Sequence, residues 1–280
     1  MVPDATADVS GVRHPQPDGA GSFSGRAGSD LGREAASAGS GAGDPDGAPE
    51  KVSTHPPRPG LVPATRRALA GLPVDVAPRL LGGVLEVTAA GSTVAVRLTE
   101  VEAYHGAGTG ERPDPGSHAR MGRTARNATM WGEPGHLYVY LSHGIHSCVN
   151  VVCGPEGTAG GVLLRAGEVT TGVDAAFARR PAAQASGSAR DLARGPGRLG
   201  DAVGLRHPVH DGIDAVTGVE RAGAVARLWL TASVRDDVAS GPRVGVAGVA
   251  GTDAFPWRFW IAGDTTVSAF RWGRGAGPAG

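Results

Sequence analysis

Lysine is almost missing from this 280-residue chain: the only one is Lys51, and the rest of the positive charge is arginine. Beyond residue 51, therefore, no side-chain amine is available for Schiff-base chemistry. Arginine donates two hydrogen bonds from one planar fork and so suits phosphate and planar acceptors, although a GC-rich gene would give the same bias. Neither sign of charge is in excess, with 27 Lys+Arg against 27 Asp+Glu. Composition alone thus points to no nucleic acid, membrane or acidic ligand. Cysteine is scarce as well: Cys148 and Cys153 fit a reducing compartment without a disulfide framework. No apolar run approaches the length of a membrane span. The N-terminus lacks the basic start and apolar core of a signal peptide. A soluble, cytoplasmic protein is the expectation.

Glycine and proline are plentiful, at 46 and 21 residues. They crowd the first 60 residues, which hold 11 Gly and 8 Pro but only seven large apolar residues: Met1, Val2, Val9, Val12, Phe23, Leu31 and Val52. Such a segment buries too little surface to offset the entropy of ordering it. The expected organisation is a disordered tail over 1–65 followed by one domain over 66–275, long enough for a sizeable core.

Within that domain the pattern predicts an interrupted helix over Ala64–Leu81, punctuated by Pro73 and Pro78 and stopped by Gly82-Gly83. Strands are expected at Val84–Val87 and Val94–Tyr104. Strict alternation would put Val94, Val96, Leu98, Glu100, Glu102 and Tyr104 on one face. Residues 105–135 read as loop. Leu137–Leu141, Ser147–Val152 and Val162–Val169 read as a three-strand antiparallel meander with short turns. Residues 170–190 read as a second loop, with a helix near Arg198–Leu205 and strand-like pieces at Val225–Thr231 and Arg243–Val249. The fold class is α+β: one mixed domain with a predominantly antiparallel β-sheet and a few helices.

Four groups of residues have chemical potential. Glu102 ends a face that begins apolar; there it would lose hydration and become a better general base, unless the face simply emerges into solvent with Glu100. All three tyrosines, Tyr104, Tyr138 and Tyr140, fall on adjacent strands, as strand propensity alone allows and as a stacking pocket would require. His118 could close such a pocket. His143, His146, Cys148 and Cys153 are zinc-type ligands, but their spacing matches no zinc motif. Gly195-Pro196-Gly197-Arg198-Leu199-Gly200 has the letters of a dinucleotide loop without the buried strand that must precede it, so it offers at most one phosphate at a helix start.

Taken in order, several strings resemble the alkyladenine (3-methyladenine) DNA glycosylase family, the type shared by bacteria and mammals. They are Thr99–Tyr104, Ser117–Arg120 with Arg126-Asn127 and Met130-Trp131, Pro134–Tyr140, Gly144–Asn150, Val162–Ala166, Gly195–Leu199 and Gly241–Val246. The resemblance runs from about residue 72 to 272. It implies a single mixed domain that binds duplex DNA, flips out a damaged purine and hydrolyses its N-glycosidic bond, with no cofactor and as a monomer. Carried over by motif, Glu102 would activate the water and Arg165 would help to organise it. Tyr104 and His118 would stack on one side of the base and Tyr140 on the other. Asn150 would sit at the pocket floor, against normal guanine. Arg120, Arg126 and Arg198 would meet DNA, with His143 at the position where the family usually places a wedging tyrosine. The absence of lysine from the domain implies a monofunctional enzyme that leaves an abasic site. Two other readings remain open: a non-catalytic nucleic-acid-binding module on the same scaffold, and a metal or small-molecule hydrolase built on the histidines and cysteines.

Overall fold

The computed structural model describes residues 58–106, 112–181 and 187–278. The expected disordered tail lies outside the described residues as far as residue 57. Its last residues join the domain: β1 (Leu61–Pro63) pairs antiparallel with β9 (Ala224–Thr231). Thr65, extended, then caps α1 (Arg66–Leu69) by accepting the Ala68 N–H. The predicted interrupted helix is two helices, α1 and α2 (Pro73–Leu80). Pro73 suits the first helical position, where no N–H is required. Val76, Ala77 and Leu80 form the buried stripe of α2.

One antiparallel sheet dominates, in the order β1-β9-β2-β3-β6-β5-β4-β8. Its strands include β2 (Val84–Ala89), β3 (Ser92–His105), β4 (His136–Ser142), β5 (His146–Val152), β6 (Gly160–Thr171) and β8 (Ile213–Asp214). The short β7 (Ala193–Arg194) pairs with β6. The expected meander is present as β4-β5-β6. A further pair, β10 (Val238–Gly241) and β11 (Arg258–Ile261), attaches to the second half of β3. Two expectations fail. Arg243–Val249 is not a strand, because the Arg243 side chain is drawn wholly inside and the segment wraps around it. Residues 173–179, read as loop, form α3 (Val173–Arg179), which starts after a left-handed Gly172 and buries Ala176; Ala-rich composition is compatible with both.

Strict alternation along β3 also fails. Against β6, β3 shifts register between Ala95 and Val96, then between Leu98 and Glu100 and again between Glu100 and Val101. Leu98 and Val101, three residues apart, therefore both enter the main core, as a β-bulge allows. The strand turns over, and Glu100, Glu102 and Tyr104 leave the core face for the other side of the sheet. The core itself joins the inner sheet face to α2 and α4 (Pro196–Val203), whose Leu199, Ala202 and Val203 are fully buried.

Helix α4 presses on β5 through Gly200, where an added Cβ would meet the Ser147 carbonyl oxygen. Alanine would gain about 1 kcal/mol in helix propensity but force apart packed backbone at about 1–3 kcal/mol. Gly200→Ala is therefore expected to lower stability by roughly 1–2 kcal/mol net in urea unfolding with an unchanged slope. A stabilised variant would mean that α4 and β5 are less closely packed.

Candidate active site

Directly opposed residues in antiparallel strands share a face, and the pairings here draw a row across the sheet. Tyr138 of β4 lies opposite Asn150 of β5, Asn150 opposite Leu163 of β6, Leu163 opposite Glu102 of β3, and Glu102 opposite Arg258 of β11. Neighbouring core-side pairs, such as Val151 with Val162, point the other way into the core. The row from Tyr138 to Glu102 forms the floor of a cleft of about 1210 Å³, also lined by Tyr104, His118, Tyr140, His143, Arg165 and the Gly195–Arg198 turn.

Glu102 is fully buried, so the solvent-exposed alternative does not hold. Its surroundings are donors rather than apolar groups. Oε1 accepts the Val244 N–H at 2.7 Å and lies 3.4 Å from Arg165 Nη1. Oε2 accepts the Tyr104 hydroxyl at 2.8 Å. Burial, with Glu102 beside it, raises the Tyr104 phenol well above its usual pKa, so it remains a donor. Glu100, also fully buried, accepts Arg165 Nε at 3.0 Å, Arg258 Nε at 2.7 Å and the Ser268 N–H at 2.8 Å. It thereby fixes the guanidinium that faces Glu102.

An aromatic wall stands on the β4 side. Tyr138 and Tyr140, two residues apart on one strand face, stack at 5.4 Å and 21°. His118 stands edge-on to Tyr140, with ring centroids 4.5 Å apart, and its Nδ1 is 3.4 Å from the Tyr138 hydroxyl. In this conformation His118 closes the gap over Tyr140. Desolvation, with Arg126 and Arg120 nearby, lowers the His118 pKa and favours the neutral ring. Asn150 donates from Nδ2 to the Tyr138 carbonyl.

The expected DNA-facing residues separate. Arg120 and Arg198 line the cleft. Exposed Arg126 does not, and instead ties its loop to β4 through the Leu141 carbonyl at 3.2 Å. His143 is exposed at the tip of the β4–β5 hairpin with φ +51°, beside Gly144 at +71°. Asn and Asp enter this left-handed region more readily than most residues, and histidine is also enriched there. Of the zinc-type residues, Cys148 reaches the cleft, where burial pushes its thiol up to about 11, while Cys153 lies in the main core. Among the described residues no group of three His, Cys, Asp or Glu side chains could hold a metal.

Sequence reasoning missed the brace behind the site. Arg243 and Asp114, both fully buried, form two hydrogen bonds of 2.7 Å. Arg243 also donates to the Ala103 and Ala250 carbonyls and lies over the Tyr104 ring at 4.5 Å. Asp114 accepts the His105 and Gly116 N–H groups. The pair thus locks the His118 loop, the end of β3 and the Val244 turn together. The available hint was an arginine directly before Val244 in a strand-like run, and periodicity reads that run as β. Asp114→Ala strands a buried guanidinium and is expected to cost about 3–5 kcal/mol in urea unfolding, with much of the loss recovered in Asp114→Ala/Arg243→Met.

His105 sits beside this brace, its ring 4.8 Å from that of Trp257 and tilted at 54°, with no hydrogen-bond partner for either ring nitrogen among the described residues. Burial lowers its pKa from 6.5 to about 4. Between those values the unfolded chain binds a proton that the folded chain refuses. Its contribution is complete above pH 6.5 and is lost as pH falls toward 4. His105→Phe should flatten that part of the stability–pH curve; an unchanged slope would clear His105 of the effect.

The chain matches the methylpurine-DNA glycosylase (MPG) family over residues 68–265. It is 48% identical over 209 residues to a protein of Leifsonia xyli subsp. xyli, covering 74% of this chain and 92% of the relative. A Streptomyces avermitilis protein is 46% identical over 213 residues, with 76% and 94% covered. A Mycobacterium tuberculosis protein is 45% identical over 199 residues, with 71% and 90% covered. All three are named as candidate 3-methyladenine DNA glycosylases. The matched residues include Glu102, Tyr104, His118, Tyr140, Asn150 and Arg165, and the chain belongs to the methylpurine-DNA glycosylase family, hydrolases of N-glycosyl bonds that act on DNA in base-excision repair.

Proposed function

We propose that this glycosylase flips a damaged purine, alkylated or deaminated, from duplex DNA into the cleft and hydrolyses its N-glycosidic bond with a water activated by Glu102. The observation that carries this reading is the Glu102 carboxylate itself, buried on the cleft floor and held at both oxygens. Oε2 has only the Tyr104 hydroxyl as a hydrogen-bond partner among the described residues, which leaves acceptor capacity for a water. That water attacks the anomeric carbon while the bond to the base breaks. Glu102 takes the proton, the base leaves with the bonding pair, and an abasic site remains. Arg165 holds the carboxylate in place and offsets charge around the reacting centre.

Selection follows from the wall. A purine alkylated at N3 or N7 carries positive charge, and the faces of Tyr104 and Tyr140 favour a cationic ring. A damaged base also unstacks at less than the few kcal/mol of a normal one. For a base to lie on Tyr140, His118 swings outward from its edge-on contact. Asn150, fixed by the Tyr138 carbonyl, presents an amide at the floor against normal guanine. His143 enters the vacated stack, and Arg120, Arg126 and Arg198 meet the phosphates. With no lysine in the domain to attack the sugar, the enzyme is monofunctional, and nothing in the cleft calls for a partner subunit.

Glu102→Gln keeps the shape of the side chain and removes the base. Excision from a hypoxanthine duplex and from methylated DNA is expected to fall by about 10²–10⁴-fold, with duplex binding retained. Cleavage of the wild-type product should require alkali. Equal loss of binding and turnover, or a borohydride-trapped nick, would overturn this mechanism.

A further inference from the structure

The family match ends at residue 265, yet the cleft continues beyond it. Residues 266–274 run as a strap along its edge without regular secondary structure. The strap is fastened at several points. The Ser268 N–H donates to Glu100, Ser268 Oγ accepts Arg165 Nη2 at 3.1 Å, and the Val267 carbonyl accepts Arg194 Nε. Gly245, the residue after the one that holds Glu102, donates its N–H to the Arg271 carbonyl at 2.9 Å, and Gly248 does the same to Arg274. At Gly273 there is no room for a side chain against the Val246 carbonyl. The strap backbone is therefore held next to the turn that positions the general base.

This fixed backbone presents two aromatic rings that the mechanism does not use. Phe270 and Trp272 meet edge to face at 4.8 Å, and Phe270 also lies against Arg258, the partner of Glu100. Trp272 is 39% exposed and lines the cleft, although a tryptophan usually buries more of its surface. Arg271, between them in sequence, also lines the cleft and is exposed, and its guanidinium has no hydrogen-bond or ion-pair partner among the described residues. Across the Gly195 turn, exposed Arg198 is likewise unpaired. An exposed indole in a cleft that also carries unpaired guanidinium groups, on a backbone fastened beside the Glu102 site, is the combination that takes a base on its face and a phosphate nearby.

We propose that Trp272 and Arg271 form a subsite for the nucleotide next to the flipped one, with the neighbouring base stacked on Trp272 and its phosphate held by Arg271. This rests on the base-flipping reading above and extends it to the DNA that flanks the lesion. Trp272 acts on binding, while the reacting atoms stay with Glu102.

The test measures binding of the full chain to a duplex carrying one tetrahydrofuran abasic analogue, which needs no chemistry. Trp272→Ala is expected to weaken binding by about ten-fold, as loss of one base–aromatic stack does, and Trp272→Phe to restore most of it. In duplexes that also lack the base on one side of the analogue, the penalty of Trp272→Ala should vanish for one of the two sides. A purely structural role would leave the penalty unchanged on both, and that result, or wild-type affinity in Trp272→Ala, would overturn the proposal. Failure of the wild type to prefer the abasic duplex over an undamaged one would instead sink the base-flipping reading on which it rests.

Discussion

Between Leu98 and Val101 the β3–β6 ladder slips and slips back, with Thr99 unpaired on β3 and then Arg165 unpaired on β6, and across this irregularity β3 turns over. Its first half sends Val94, Val96 and Leu98 into the core, and its second half sends Val101 and Ala103 there instead. The residues displaced by that change are Glu100, Glu102 and Tyr104. Without the bulge, two carboxylates would point into a cluster of valines and leucines, where ionised groups are not tolerated unpaired. With it, both reach a region where arginine, hydroxyl and backbone N–H groups converge. The ladder to β11, which begins at Glu100, joins β3 only past this point, so the turnover also decides where the second edge of the sheet attaches.

The site that results is held from behind by ion pairs rather than by packing alone. Glu100 gathers Arg165, Arg258 and the strap at Ser268, and Asp114 gathers Arg243, His105 and Gly116. Two carboxylates thus fix three arginines and three stretches of chain. Buried pairs of this sort contribute little net stability against apolar residues of the same size. Their value here is geometric: each guanidinium has one orientation, and those orientations set the positions of Glu102, Tyr104 and the Val244 turn. Catalytic groups need such fixed placement because small displacements weaken the reacting geometry.

Much of this was legible from residue order. The meander and the two tyrosines on one face of β4 follow from period-2 alternation and short turns, whereas Glu102 lies on the face opposite to the one that alternation along β3 gives it. The turnover at Glu100 was not legible, because a bulge leaves no composition mark when both faces of the strand are buried. The Arg243 brace was hidden for a similar reason. A Val-Gly-Val run after an arginine reads as a strand, and only the tertiary pairing with Asp114 shows why it cannot be one. The tail boundary shifted because Leu61–Pro63 completes the sheet beside β9, a long-range pairing that a Pro-rich neighbourhood conceals. Helix α3 was missed because alanines beside glycine and proline look like low complexity.

The arginine-only cleft has a regulatory consequence. Lysine acetylation removes a positive charge and so loosens contacts that depend on it. Here the cleft cations are Arg120, Arg165, Arg180, Arg194, Arg198 and Arg271, none with an amine to acylate. Guanidinium groups also stay protonated far above physiological pH. Acetylation therefore has no side chain in this cleft on which to act. Ionic strength and arginine methylation are the remaining handles on its positive charge.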